Sequence, residues 1–528
     1  MTDRNRTRDT ASKRTSQPRR LSAIEEVDLQ EELREMEQEE ELIRREAEIR
    51  RKKQRLRRQR EEQHENFVKR LIFTAFLVIV AIILTVLLIV YIGTGRKHTA
   101  ASGETNADSF TVTGGSDERE ASGTGSASLQ DVIRNKKSTA PKADRVTLSA
   151  VGDNLVSQRI LDQALERGNG SYDFSYVYAD MKAFFGAHEL NWVDVETVIN
   201  DRIEPAGYPT FSTPGKNGQD LKEAGLNIFS LSNNHTNDLG LEGVEASLSY
   251  WAAFTAGEKN VLTTGLWKTK DGTGSLSGLT GSYEQKGLHA QPDVYAGEIP
   301  VYTCENGRKV AFLSYTEMSN MDEAGDIYGT PQDASARIIY TYETDLIRAQ
   351  IQKAKEEADA VVVACHWGEE DTHQINESQK KLARDLAGWG ADLIIGDHPH
   401  VVQDGAWIDT ADGRRVFCVY SLGNFVSTQE QPDEIIGVAL DCTLSFTGEG
   451  EETVVEVKEP KLVPIVTDYG EGGTNAKVCL LSGYTEQQAS ANGMNTLLAE
   501  SGSKERFTLE YIRGVLEKNI SSEFLKME

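Results

Sequence analysis

Five short β-branched runs in this chain each end on residues able to hold a metal. Val146-Thr147-Leu148-Ser149-Ala150-Val151-Gly152 leads to Asp153, and Trp192-Val193-Asp194-Val195 leads to Glu196. The run from Leu226 to Ser232 continues through Asn233 and Asn234 to His235. Ala360–Cys365 ends on His366, and Ala391–Gly396 ends on Asp397, His398 and His400. Amphipathic spacings at 219–224, 344–358 and 378–390 each precede a β run, and this alternation implies an α/β sheet. In such a sheet the strand ends that feed helices share one edge, and ligands bind in the crevice there. Six N/O donors converging on that edge, Asp153, Glu196, His235, His366, His398 and His400, read as a metal site, with two divalent ions rather than one.

The local contexts sharpen this. Alternation along Asp194-Val195-Glu196-Thr197 puts Asp194 and Glu196 on one face, and two buried carboxylates are costly unless they hold cations or basic groups. Asn233-Asn234-His235-Thr236-Asn237-Asp238-Leu239-Gly240 packs more short polar side chains behind an apolar run than a helix cap needs. In His398-Pro399-His400 the two imidazoles would point to opposite faces of an extended segment, so the bend at Pro399 must bring both to one site.

Outside this region the chain changes character. Residues 71–92 are 22 apolar residues interrupted by two Thr and one Tyr, long enough to span a hydrocarbon core of about 30 Å. Basic residues at 51–60 and 69–70 precede them, which by the positive-inside rule predicts a cytoplasmic N-terminus and an external remainder. The 70 residues before the anchor carry 20 Lys+Arg and 17 Asp+Glu; subtracting from 57 and 83 leaves 37 and 66, a net of −29 for the rest. So acidic a segment excludes nucleic-acid binding, and meets an anionic polymer only through bridging cations. Residues 1–20 are basic and polar and read as disordered. Residues 25–62 fit either an interrupted coiled-coil seam, offering self-association, or a solvated charged helix. Residues 93–144, rich in Gly, Ser and Thr, read as a flexible stalk, and 265–287 as a surface insertion. Five cysteines without tight spacing give no disulfide framework, and Cys365 and Cys418 inside β runs are expected to be buried thiols.

Taken in order, Gly152-Asp153, Asp194-Val195-Glu196-Thr197, Asn233-Asn234-His235 with Asp238-Leu239-Gly240, His366-Trp367-Gly368, Gly396-Asp397-His398-Pro399-His400-Val401-Val402-Gln403 and Ser421-Leu422-Gly423-Asn424-Phe425 resemble the CapA family. Those are bacterial capsule-synthesis (poly-γ-glutamate biosynthesis) proteins related to the calcineurin-like metallophosphoesterases. The resemblance covers roughly residues 145–427. It implies an αββα sandwich with a binuclear site of Mn, Fe or Zn. It makes Asp153, Glu196 (in the bridging place), Asn234, His366, His398 and His400 the ligands, and His235 the acid assisting a leaving group. Asp194, where the family commonly has asparagine, and Asp397, where it often has histidine, are expected beside the ligands, as are Asn233, Asp238, Glu370 and Asn424.

The expected plan is a charged cytoplasmic segment 1–66, a membrane span 67–93, a linker 94–144, a metallophosphoesterase-like domain 145–430 and a C-terminal extension 431–528 with β runs and a helix at 508–527. The expected function is a membrane-anchored protein of capsule or poly-γ-glutamate synthesis or export, meeting an anionic envelope polymer and synthase subunits. A metal-dependent phosphoesterase of the envelope and a metal-stabilised scaffold are the alternatives.

Overall fold

The computed structural model describes residues 144–269, 294, 298–320, 334–448 and 453–527. The readings for 1–66, 67–93 and 94–143, and most of the insertion at 265–287, lie outside them. Among the described residues no helix is long and apolar enough to cross a membrane.

The principal elements, in chain order, are strand β1 (Arg145–Asn154), helix α1 (Gln158–Arg167), β2 (Leu190–Asp194), α2 (Lys216–Ala224), β3 (Ile228–Ser230), α3 (Gly240–Thr255) and β4 (Leu262–Thr264). Then come β5 (Val301–Thr303), β6 (Lys309–Thr316), α4 (Thr344–Glu357), β7 (Ala360–His366), α5 (Glu377–Trp389), β8 (Leu393–Asp397), β9 (Val402–Asp409), β10 (Arg415–Leu422) and β11 (Asn424–Val426). The C-terminal part supplies β12 (Ile436–Thr447), β13 (Val454–Asp468), β14 (Lys477–Leu480), α6 (Glu486–Ala491), α7 (Met494–Glu500) and α8 (Leu509–Asn519).

Two sheets organise these elements. The first runs β14-β13-β12-β1-β2-β3-β4, with β11 also pairing β1; the second runs β9-β10-β8-β7-β6-β5. Pairing is parallel through β1-β2-β3-β4 and through β6-β7-β8-β10. Parallel strands covered on both faces become unbroken apolar runs, which is why β7 reads Ala-Val-Val-Val-Ala-Cys and is buried throughout. Alternate residues face opposite ways: Val362, Ala364 and Ile395 join one core with the first sheet, whereas Val363, Cys365 and Ile394 pack beneath Leu346, Ile351, Ala383 and Leu386 of α4 and α5.

The expected helices form where their spacing placed them. α5 is closed at its start by a reciprocal cap, Asn376 accepting from Gln379 N–H while Gln379 Oε1 accepts from Asn376 N–H at 3.0 Å. The last helix stops at Asn519 rather than reaching Met527, because Ser521 turns away to donate its N–H and hydroxyl to the Asp404 carboxylate. Residues from 431 onward continue the first sheet: β12 pairs antiparallel with β1 over Arg145–Ala150. All five cysteines are free and buried.

Candidate metal centre

Two glycines explain how the strand ends are aimed. A Cβ on Gly152 would stand 1.9 Å from the Gly423 carbonyl oxygen, and one on Gly396 would stand 2.1 Å from the Tyr420 carbonyl oxygen. Only glycine lets the neighbouring backbone approach so closely. Asp153 N–H then donates to Gly423 O at 3.2 Å, and Asp397 closes β8 opposite His366. Gly152-Asp153 and Gly396-Asp397 therefore each mark a place where a carboxylate is carried into a crowded seam.

The first sheet delivers Asp153 and Asp194 at the ends of β1 and β2, Glu196 two residues beyond β2, and Asn234 and His235 in the turn after β3. The second delivers His366 and Asp397 at the ends of β7 and β8, and His398 and His400 in the turn after β8. All are buried. Donor atoms lie within 4.8 Å of one another in four overlapping groups: Asp153, Asp194, His366 and Asp397; Asp153, Glu196 and His400; Glu196, His366 and His398; and Glu370, His398 and His400. His398 and His400 have φ of 93° and 60°, a left-handed backbone that costs a side-chain-bearing residue roughly 1–2 kcal/mol. That backbone is how the turn around Pro399 brings both rings into one site.

The polar contacts show what this cluster lacks. His366 Nδ1 lies 2.7 Å from Asp397 Oδ1; in the tautomer that carries its proton on Nδ1, Nε2 keeps a lone pair. That Nε2 faces Asn234 Oδ1 at 2.9 Å, His398 Nδ1 at 3.0 Å and Glu196 Oε1 at 3.6 Å. His400 Nδ1 lies 3.2 Å from Asp153 Oδ2, 3.1 Å from Asn424 Oδ1 and 3.7 Å from Glu196 Oε2. Both carboxylate oxygens of Glu196 and Oδ2 of Asp397 are buried without a hydrogen-bond partner. Among the described residues, the ion-pair partners of Asp153, Asp194, Glu196 and Asp397 are histidines, with no lysine or arginine in reach. Four buried carboxylates and a set of inward lone pairs are a poor apolar core and a good cation cage. The donor set fits one or two divalent ions.

The electrostatics agree. Burial, reinforced by the other carboxylates, pushes Asp194, Glu196 and Asp397 well above the usual carboxylate range. Burial also holds His366 well below the ordinary imidazole value and lowers His398 to about 4, so both rings stay neutral and able to ligate. His400 goes the other way: burial would lower it, but the hydrogen bond and charge of Asp153 lift it to about 9.

At the rim, His235 Nδ1–H donates to Asp238 Oδ2 at 2.6 Å and the ring meets the edge of Phe211 at 4.7 Å between centroids. Asn233 ties the two loops together, donating to Val195 O at 2.9 Å while accepting from His235 N–H at 3.2 Å. Asn424 donates to Gln429 Oε1 and Glu434 O, which turns its own oxygen toward His400. Every residue singled out from the sequence thus lies in or beside the cluster. Glu196 enters it from a loop beyond β2 rather than from a strand. One residue was missed: Asn320, whose side chain touches Asn234, His235 and Asp238. It follows β6, a sixth apolar run ending in polar residues, and that pattern was the available signal.

Residues 147–271 and 287–429 match the family described as bacterial capsule synthesis protein PGA_cap. Over 330 residues the chain is 28% identical to the PGA biosynthesis protein CapA of Bacillus subtilis (strain 168), spanning 62% of this chain and 75% of that one. It is 32% identical over 292 residues to the capsule biosynthesis protein CapA of Bacillus anthracis, spanning 54% of this chain and 61% of the other. A solved structure of a hypothetical protein from Thermus thermophilus aligns with 60% of this chain and 99% of its own, at 16% identity and a TM-score of 0.31.

Proposed function

The chain belongs to the PGA_cap family of bacterial capsule synthesis proteins, and from that premise we propose that it is a membrane-anchored protein of capsule or poly-γ-glutamate synthesis or export, working at the cell surface through a divalent-metal site. The observation that carries the metal reading is Glu196: a fully buried carboxylate, both oxygens without a hydrogen-bond partner, ringed by Asp153, His366, His398 and His400. We read the two facing sheets with helices packed on them as a metallophosphoesterase-like αββα sandwich. Residues 67–93 are the anchor, 1–66 the cytoplasmic part and 94–144 the external linker. The partner this assigns is an anionic polymer, which an acidic domain approaches through bridging cations, with synthase subunits as neighbours.

In this reading Asp153, Glu196, Asn234, His366, His398 and His400 hold the ions, and Asp194 and Asp397 add charge and orient rings. Bound divalent ions supply Lewis-acid polarisation of a phosphoryl or acyl oxygen and a more acidic water. The protein's own part is to exclude solvent, to keep His366 and His398 neutral, and to present His235 at the rim with Nδ1 held beside Asp238 Oδ2. The Asp238 contact favours a second reading, an envelope phosphoesterase in which the carboxylate steadies the His235 imidazolium and the ring, once protonated on Nε2 as well, passes that proton to a leaving oxygen.

One experiment addresses both. Purified wild type should carry stoichiometric divalent metal. Asp153→Asn should lose it along with the melting-temperature increment that metal confers. His235→Ala should keep metal and stability while function (capsule complementation, or turnover of a phosphodiester) falls by ~10²–10⁴. Full function in His235→Ala removes the hydrolase reading; wild type free of metal removes the site.

A further inference from the structure

Asn320 lies outside every motif discussed above, yet its side chain bonds to two separate parts of the centre. Its Nδ2 is 3.0 Å from Asp238 Oδ1 and 2.9 Å from His235 Nδ1, and its Oδ1 accepts from Asn234 Nδ2 at 3.0 Å. Its backbone N–H donates to Asn234 O at 3.0 Å. The segment is held from the other side as well, Ser319 Oγ meeting Asn237 Nδ2 at 3.3 Å and Tyr340 Oη at 3.1 Å.

We propose that Asn320 is a positioning residue that sets the polarity of Asn234 and His235 together, a role that rests on the metal reading for what Asn234 faces. The argument begins at Asp238, whose carboxylate oxygens accept from the groups around it. It accepts Phe211 N–H at 3.2 Å and His235 Nδ1–H at 2.6 Å on Oδ2, which leaves Oδ1 for Asn320. Asn320 must therefore turn its amide NH2 to Asp238 and its oxygen to Asn234. Asn234 must answer with its NH2, so its own Oδ1 is forced inward, where it lies 2.9 Å from His366 Nε2. One carboxylate thus fixes two amide orientations and one imidazole tautomer. Asn234 is made an oxygen donor to the centre, and His235 is left with its lone pair on Nε2. Without Asn320, Asn234 is free to present NH2 to the cage, which repels a cation.

The test uses the full-length protein in detergent, stripped of metal and titrated with Mn2+, with 15N-histidine spectra of the metal-free state assigned through loss of the His235 signal in His235→Gln. Asn320→Leu and Asn320→Asp should each weaken Mn2+ binding by ~10–100-fold and push His235 further toward the Nδ1–H tautomer, because the amide NH2 that crowds Nδ1 at 2.9 Å is gone. The exchanged pair Asn320→Asp with Asp238→Asn restores the order of donors and acceptors: the amide now at position 238 can give its NH2 to the carboxylate now at position 320 and keep its oxygen for Phe211 and His235. It should recover most of the affinity. A purely packing role predicts no such rescue. Mn2+ affinity within about twofold of wild type in Asn320→Leu, or an exchanged pair no better than Asn320→Asp, overturns the proposal. Should wild type itself take up no Mn2+, the metal reading falls, and the His235 spectrum then decides the relay: altered in Asn320→Leu it stands, unaltered it is overturned.

Discussion

At the scale of single residues, the centre is a place where charge is confined against its preference, and that gives the metal-free protein a characteristic pH response. His400 is lifted to about 9 by Asp153 despite its burial, and Glu434, by burial and a hydrogen bond with Asp371, to about 8. A group whose folded value is raised gives stability that is complete below its unfolded value and lost as pH climbs through the folded one. Depressed His366 and His398 act in the opposite sense, but only below the ordinary imidazole value of about 6.5. Between about pH 6.5 and 9 the resolved contributions therefore share one sign, and the metal-free protein should melt progressively lower, by on the order of 5 °C. Saturating divalent metal should flatten the curve. Glu196→Gln removes a buried carboxyl that has no hydrogen-bond partner and whose ionisation burial opposes, so at the alkaline end of that range the metal-free variant should be more stable than metal-free wild type by about 1–4 kcal/mol and gain nothing from added metal. Scanning calorimetry of both proteins with and without metal reads this. A Glu196→Gln variant that melts below metal-free wild type would mean that Glu196 is satisfied by something other than a cation.

At the scale of elements, the sequence disclosed more about strand ends than about strand partners. β7 and β8 announce themselves as apolar runs because both faces are covered, and the residues that follow them fall at one edge, so His366, His398 and Asp397 were legible together. Helices at 216–224, 344–357 and 377–389 were legible from spacing. Which strand lies beside which was not. β12 alternates buried and half-buried residues along Leu440–Phe446, which marks a strand but cannot say that it pairs with β1, some 290 positions earlier, over Arg145–Ala150. Asn320 escaped for a similar reason, since its value lies wholly in partners contributed by another loop. The pairing has a consequence for truncation. A chain ending at Glu430 lacks β12, β13 and β14, and leaves the edge of β1 open along six residues, a template for aggregation. Such a chain should be recovered aggregated and without metal; native near-UV dichroism and metal uptake in it would show the C-terminal strands to be dispensable.

At the scale of the whole molecule, the chain divides by charge at its apolar segment, +3 before residue 71 and −29 after it. If the proposed topology is right, protease added to intact cells should cut within 93–144, a stretch whose composition offers little to bury, and release an acidic fragment containing the centre. Digestion of the first 60 residues from outside would invert the orientation. Within the fragment the centre has a mechanical meaning. Its donors come half from one sheet (Asp153, Asp194, Glu196, Asn234) and half from the other (His366, Asp397, His398, His400), so a cation held there is a rivet through both. Sliding or peeling the sheets apart must extract it first, whereas assembly of either sheet needs no ion. Metal should therefore lengthen the lifetime of the folded state, slowing unfolding by orders of magnitude while leaving the refolding rate nearly unchanged. Stopped-flow unfolding with and without metal measures this. At the proposed cell-surface location, that lifetime rather than equilibrium stability would set how long each copy lasts.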